Sequence, residues 1–212
     1  MSFPDRLALA SRNPGKTREI LSICADWPVE WITADSHPGP WPEVDEPHDS
    51  YLDNALAKAH AVAVATGVPA LADDSGIEVD ALGGGPGPRS ARYAGESVAD
   101  GQNIAMMLRA LAEVPEGGRS ARYRCVAVIA WPDGRKLFAE GGCEGTIAGS
   151  PRGSSGFGYD PIFVPAGWDR TMAELPREEK DRISHRGRAL RTLRERLVGG
   201  PEESPFRVPE EG

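Results

Sequence analysis

The loop Ser11-Arg12-Asn13-Pro14-Gly15-Lys16 follows a short apolar run and precedes residues with helical spacing. At a helix start, unpaired backbone N–H groups and the helix dipole attract an anion, and Lys16 adds a positive charge, so phosphate is the natural guest. Gly15-Lys16-Thr17 is not a P-loop, because that motif requires glycine at position 10, where this chain has alanine. A capped turn with a solvated lysine is the plainer reading of the same residues. Asp73-Asp74-Ser75-Gly76 is expected just beyond the end of a strand, at the rim of a sheet, where two carboxylates repel unless a cation or a proton intervenes. Adjacent side chains of extended backbone point opposite ways, so at most one of the two is expected to face a site. Asp45-Glu46 is a second acidic pair in a proline-rich approach to a long helix. Taken singly, a turn and a solvated helix-start charge account for the two pairs. Together they could hold a magnesium ion, which takes one or two carboxylates and completes its shell with water and phosphate.

Ser154-Ser155-Gly156-Phe157-Gly158-Tyr159-Asp160 places two aromatic rings among glycines, an arrangement in which Phe157 can stack on a planar base. Ser184-His185-Arg186, with Lys180 just before it, supplies several donors at the start of a helix, where Ser184 also suits the N-cap. Anion loop, acidic pairs, aromatic loop and donor cluster converge on a nucleotide.

The elements that must position these residues follow from periodicity. Arg6 to Ala10 reads as a strand and Lys16 to Cys24 as a helix. Tyr51 to Thr66 carries Leu52, Ala55, Leu56, Ala59, Val62 and Ala63 on one stripe and meets Gly67 as a C-terminal cap. Val68 to Ala72 predicts a short strand, whereas Gly83 to Pro88 is too rich in glycine and proline for helix or strand. Gln102 to Val114 predicts a helix, and Ala121 to Trp131 with Lys136 to Ile147 a hairpin turning at Pro132-Asp133-Gly134. A glycine-rich loop from Gly149 to Asp160, a strand from Pro161 to Val164 and a helix from Arg186 to Val198 complete the pattern.

Composition narrows the classes. A chain of 212 residues suits one large domain or two small lobes, and it is long enough to fold by burial without staples. Twenty-four Lys and Arg against 32 Asp and Glu give a net charge of −8, which argues against a nucleic-acid partner. Cys24, Cys125 and Cys143 lie far apart, and His37, His48, His60 and His185 form no zinc spacing. A reducing, cytoplasmic setting is expected, with no membrane partner, since no apolar run approaches a membrane span.

In their shared order, several motifs give a close resemblance to the inosine/xanthosine triphosphate pyrophosphatase family. They are Ser11 to Lys16, Asp53-Asn54-Ala55 with Lys58-Ala59, Ala72 to Gly76, Ser90 to Gly95, Phe157 to Phe163 and Ile183 to Arg186. The resemblance spans Leu7 to Leu197. It implies an elongated α/β fold whose central mixed sheet separates two lobes, with the nucleotide in the cleft between them, and a homodimer. It also implies magnesium-dependent hydrolysis of ITP, dITP and XTP to the monophosphate and pyrophosphate, clearing deaminated purine nucleotides. By this likeness Ser11, Arg12, Asn13, Pro14, Gly15 and Lys16 bind the triphosphate, Asp74 is proton acceptor and metal ligand, and Ser75 contacts substrate. Phe157, Gly158, Tyr159, Asp160, Lys180, His185 and Arg186 hold base and phosphates, and Asp45 or Glu46 joins Asp74 on the metal. Where the family commonly has Glu-Glu-Thr-Gly, this chain has Asp45-Glu46-Pro47-His48, and Asp53 stands where a glutamate is common. A septum-inhibitor-type pyrophosphatase of modified pyrimidine nucleotides matches less of the chain, and a non-catalytic nucleotide sensor is the alternative of another class.

Residues 1–199 are expected to form the catalytic domain and 200–212 a disordered tail, since the tail has three prolines, four glutamates and few apolar residues. Truncation after Gly199 should therefore leave melting temperature and turnover nearly unchanged. A large drop in melting temperature on truncation would show that the tail docks.

Overall fold

A computed structural model describes residues 2–45 and 48–199. Glu46 of the acidic pair and the expected tail lie outside the described residues.

Strand β1 (Arg6–Leu9) is buried from Leu7 onward, as a short apolar strand between two helical layers must be. Helix α1 (Pro14–Ile23) begins two residues before the periodicity predicts. Pro14 has the φ of a helix and needs no N–H partner in the first turn, and Asn13 caps the start. Strand β2 (Glu30–Ile32) was not predicted, being only three residues long. Helix α2 (Tyr51–Thr66) lies where its stripe predicts, capped by Ser50 and ended by a left-handed Gly67.

Strand β3 departs most from expectation. It runs from Ala70 to Val79, so Asp73-Asp74-Ser75-Gly76 sits inside a strand and not in a turn beyond it. Two acids can occupy mid-strand positions here because cations reach them from the helices on both faces. The glycine- and proline-rich loop also contributes a strand, β4 (Pro86–Gly87), which pairs antiparallel with β3.

Helix α3 (Asp100–Ala110) precedes the expected hairpin of β5 (Ser120–Ala130) and β6 (Lys136–Ile147). Strand β7 (Phe163–Pro165) and helices α4 (Arg177–Ile183) and α5 (His185–Gly199) follow. The seven residues of α4 are mostly charged and show no apolar stripe, which is why periodicity misses them.

The architecture is α/β, built on one mixed sheet in the order β2-β1-β3-β5-β6-β7, with β4 added to β3. On one face, Leu7, Leu9, Leu71, Ala127 and Ile129 pack under α1 and α5. On the other, Ala8, Ala70 and Ala72 meet Ala55, Ala59 and Ala63 of α2, and these small side chains let the helix lie close to the sheet. The far halves of β3 and β5 enter a separate apolar cluster with α3 and β7, around Ile77, Val79, Tyr123, Met107 and Phe163.

Helix α5 presses directly on β6. A Cβ placed on Gly141 would lie 2.2 Å from the carbonyl oxygen of His185 and 2.5 Å from the amide nitrogen of Ala189. Backbone cannot yield as a flexible side chain can, so Gly141→Ala should destabilise by at least the upper end of the about 1–3 kcal/mol typical of overpacking. Urea unfolding measures this, and an unchanged midpoint would contradict the close approach.

Candidate active site

Strand β1 pairs with β3 only as far as Leu71, and β4 takes up the same edge from Ile77. Among the described residues, the edge of β3 from Ala72 to Gly76 therefore has no strand partner on that side. β1 lies between β2 and β3, so the chain leaves its carboxyl end in one direction and returns on the other side, the switch point at which open α/β sheets bind ligands.

A cavity of about 340 Å³ fills the gap, lined by Ser11, Asn13, Lys16, Asp45, Lys58 and the Asp73-Asp74-Ser75 edge. A narrower one of about 80 Å³ adjoins it, walled by Phe157, Tyr159, Lys180, His185 and Arg186. Asn13, Lys16, Ser75 and Ala91 border both. The candidate residues from distant parts of the chain thus meet in two connected chambers.

Asp73 and Asp74 are each 2% exposed. Strand alternation sends them to opposite faces, Asp73 to Arg186 of α5 and Asp74 to Asn54 and Lys58 of α2. Yet both line the larger cavity, contrary to the expectation that only one could. Lys16 stands at the open edge and reaches both, 3.5 Å from Asp73 and 3.9 Å from Asp74. Burial works against the charge of Asp73, but Arg186, Lys16 and Lys58 outweigh it and hold the carboxyl well below the usual range. Asp73 Oδ1 is buried without a hydrogen-bond partner among the described residues.

Arg186 is 1% exposed and largely committed. It donates to Asp73 at 2.8 and 3.1 Å, to Ser75 Oγ at 2.9 Å and to Glu19 at 2.5 Å. Lys180 donates to Glu19 and to Asp160. Burial disfavours the charges here too, yet Arg186 and Lys180 together keep Glu19 below its ordinary value. Burial pushes Asp160 up, with Lys180 opposing. Among the described residues these bonds leave one N–H on Lys180 and one on Arg186 unspent. Arg186 is thus mainly the keystone of an ion network, where the sequence suggests a free donor.

Phe157 lies across this network, its ring 5.3 Å from Lys180 Nζ and 5.6 Å from Arg186 Cζ. It rests on the bare backbone of Gly15, where a Cβ would approach the ring to 2.7 Å. The loop around it is tied by the Phe157 amide to Asp160 (2.9 Å), the Gly158 amide to Asp100 (2.6 Å) and the Tyr159 hydroxyl to the Ser90 carbonyl (2.8 Å). His185 stacks flat on Tyr123 at 4.5 Å.

The loop after β1 differs from the anion nest that its sequence suggests. Asn13 Oδ1 already accepts the Gly15 and Lys16 amides, at 2.9 and 3.1 Å. Arg12 is turned toward Glu43 (2.7 Å) and the Trp41 carbonyl (2.9 Å). Positive charge in the larger cavity comes chiefly from Lys16 and Lys58. Sequence reasoning assigned no role to Asn54, Lys58 or Glu19, and took Asp73 only as half of an acidic pair. Asn54 and Lys58 left a signal, two polar residues four apart within the alanine stripe of α2, whereas Glu19 left none.

The Ham1 family model matches residues 7–196. A Streptomyces coelicolor protein named dITP/XTP pyrophosphatase is 48% identical over 190 residues, covering 89% of this chain and 94% of the relative. A Geobacter sulfurreducens protein of the same name is 47% identical, over 91% and 96%. Among solved structures, a HAM1 protein from Coxiella burnetii superposes with a TM-score of 0.82 at 39% identity, covering 92% of this chain and 99% of that one. The nucleoside-triphosphatase / dITP/XTP pyrophosphatase from Mycobacterium abscessus gives 0.71 at 43% identity, over 89% and 97%.

Burial, reinforced by the charges of Arg186 and Lys180, holds the His185 imidazole well below its ordinary value. It stays neutral in the folded protein, while the unfolded chain takes up a proton near pH 6.5. His185 therefore contributes stability that is present above about pH 6.5 and lost as pH falls below it. Between about pH 6 and 5 this residue should cost up to about 1.4 kcal/mol per pH unit, and His185→Asn should remove that part of the slope. Equal slopes in urea melts of the two proteins would contradict a neutral, buried His185.

Proposed function

The chain belongs to the Ham1 family, and we propose that it hydrolyses dITP, ITP and XTP to the nucleoside monophosphate and pyrophosphate. One observation carries this reading: the cavity holding Asp74 between Lys58 and Lys16 opens into a slot walled by Phe157 whose unspent donors belong to Lys180 and Arg186. A triphosphate in the larger cavity would bring the base into the smaller.

Water attacks the α-phosphorus, the bond from that phosphorus to the α,β-bridging oxygen breaks, and the water oxygen remains on the monophosphate. Asp74 accepts the water proton. Lys16 and Lys58 offset charge on the phosphates and the leaving pyrophosphate. No covalent intermediate is required, and the protein supplies position and charge compensation.

The donor set suits magnesium. Asp74 and Asp45 line one cavity, Asp73 Oδ1 is a buried oxygen without a hydrogen-bond partner among the described residues, and all are hard ligands. Magnesium takes one or two carboxylates and leaves its other positions to phosphate and water. Asp74 with Asp45, or Glu46 beside it, would hold the ion. When bound, it would supply Lewis-acid polarisation of the phosphates. No helix among the described residues is long and apolar enough to cross a membrane.

The slot favours bases with a 6-oxo group. Hypoxanthine and xanthine offer an acceptor to the spare donors, whereas adenine presents a 6-amino donor and leaves them unpaired. ITP and XTP should exceed ATP in kcat/KM by at least about 10²-fold. Asp74→Asn should lower turnover of ITP by about 10²–10⁴-fold with the fold retained. A pyrophosphate-release assay over a nucleotide panel with magnesium decides both. Equal hydrolysis of ATP would defeat the selectivity, and near wild-type turnover of Asp74→Asn would defeat the role of Asp74.

A further inference from the structure

Asn54 belongs to a motif of which the reading above uses only Lys58. It lies in the first turn of α2, fully buried, and its side chain spends both of its donors, and accepts one hydrogen bond, on two partners. Nδ2 donates to Asp74 Oδ2 at 3.2 Å and to the His48 carbonyl at 2.9 Å, while Oδ1 accepts the His48 amide at 3.1 Å. His48 closes the acidic segment that carries Asp45. One amide group thus ties the carboxylate inside the sheet to the backbone of His48, three positions after Asp45 in the chain.

We propose that Asn54 is a positioning residue for the hydrolytic step, fixing the carboxylate plane of Asp74 against the backbone of His48. The inference rests on the reading of Asp74 as proton acceptor and cation ligand. By holding Oδ2, Asn54 leaves Oδ1 as the oxygen turned to Lys58 and Lys16, 3.2 and 3.9 Å away. Without that bond the carboxylate can rotate, and either oxygen can face the lysines. The amide is the chemistry the position demands. Aspartate would set a like charge against Asp74 and lose both donors, and leucine would leave the His48 amide and carbonyl unpaired in a buried place. Asn54 is not among the residues that line either cavity, so its influence on substrate must pass through its two partners.

The test compares wild type, Asn54→Ala, Asp74→Asn and the double variant. It measures kcat and KM for ITP, melting temperature, and binding of Mn²⁺ to the nucleotide-free protein by electron paramagnetic resonance. Asn54→Ala should lower kcat and weaken Mn²⁺ binding, each by about 10–100-fold, the usual cost of losing a residue that orients a ligand, with KM for ITP nearly unchanged. In the Asp74→Asn background the same substitution should lower kcat no further, because its effect is already spent. A merely structural Asn54 would lower kcat alike in both backgrounds. If Asn54→Ala does not fold, Asn54→Ser, which keeps a short hydroxyl, carries the same comparison. Wild-type kcat and Mn²⁺ affinity in the Asn54 variant, with Asp74→Asn inactive, would overturn the inference and leave the reading of Asp74 standing. Near wild-type turnover of Asp74→Asn would overturn that reading, and the inference with it.

Discussion

Two consecutive aspartates inside a buried strand set the terms for the rest of the molecule. Asp73 and Asp74 cannot remain charged in the sheet unless cations meet them, and strand alternation sends them to opposite faces, so the cations must come from both sides. Arg186 of α5 serves one face, Lys58 of α2 the other, and Lys16 of α1 the open edge between them. Three helices are thereby held in register with one strand. Removing one partner from such a buried pair typically costs about 3–5 kcal/mol, because the remaining charge cannot return to water.

The gap in the sheet and the ion network depend on each other. If β1 continued beside β3 past Leu71, its backbone would fill the edge where Lys16 stands, and the cavity would close. Instead the chain turns at Ser11 into α1, and the Asn13 side-chain oxygen accepts the Gly15 and Lys16 amides that would otherwise be open to an anion. The same helix carries Glu19 to Lys180 and Arg186, so the first turn of α1 borders the larger cavity and its second turn braces the smaller. A base in the slot and a triphosphate in the gap therefore touch one connected set of charges.

Much of this was legible beforehand, for reasons that can be traced residue by residue. The alanine stripe from Ala55 to Ala63 announced α2, because a 3.6-residue period survives whatever the helix packs against. The apolar runs flanking Pro132-Asp133-Gly134 announced the β5–β6 hairpin. Asp73-Asp74 misled, because acids and a glycine usually mark a turn, and nothing local reveals three cations that arrive from positions 16, 58 and 186. Strands β2 and β4 and helix α4 were missed because three, two and seven residues are too short for a period to emerge.

Taken by itself, the sequence determined which residue types were available and the elements with a strong period. Its ordered motifs also pointed to the family. Tertiary structure alone decided what each polar group is bonded to. It turned Arg186 from a donor in a pocket into a keystone, gave the amides of Gly15 and Lys16 to Asn13, and made Asn54 the link between His48 and Asp74. The physical reason is that periodicity records which face of an element is apolar, a local property. A hydrogen bond or ion pair is set by distances between residues far apart in the chain, and those exist only once the sheet and helices have packed.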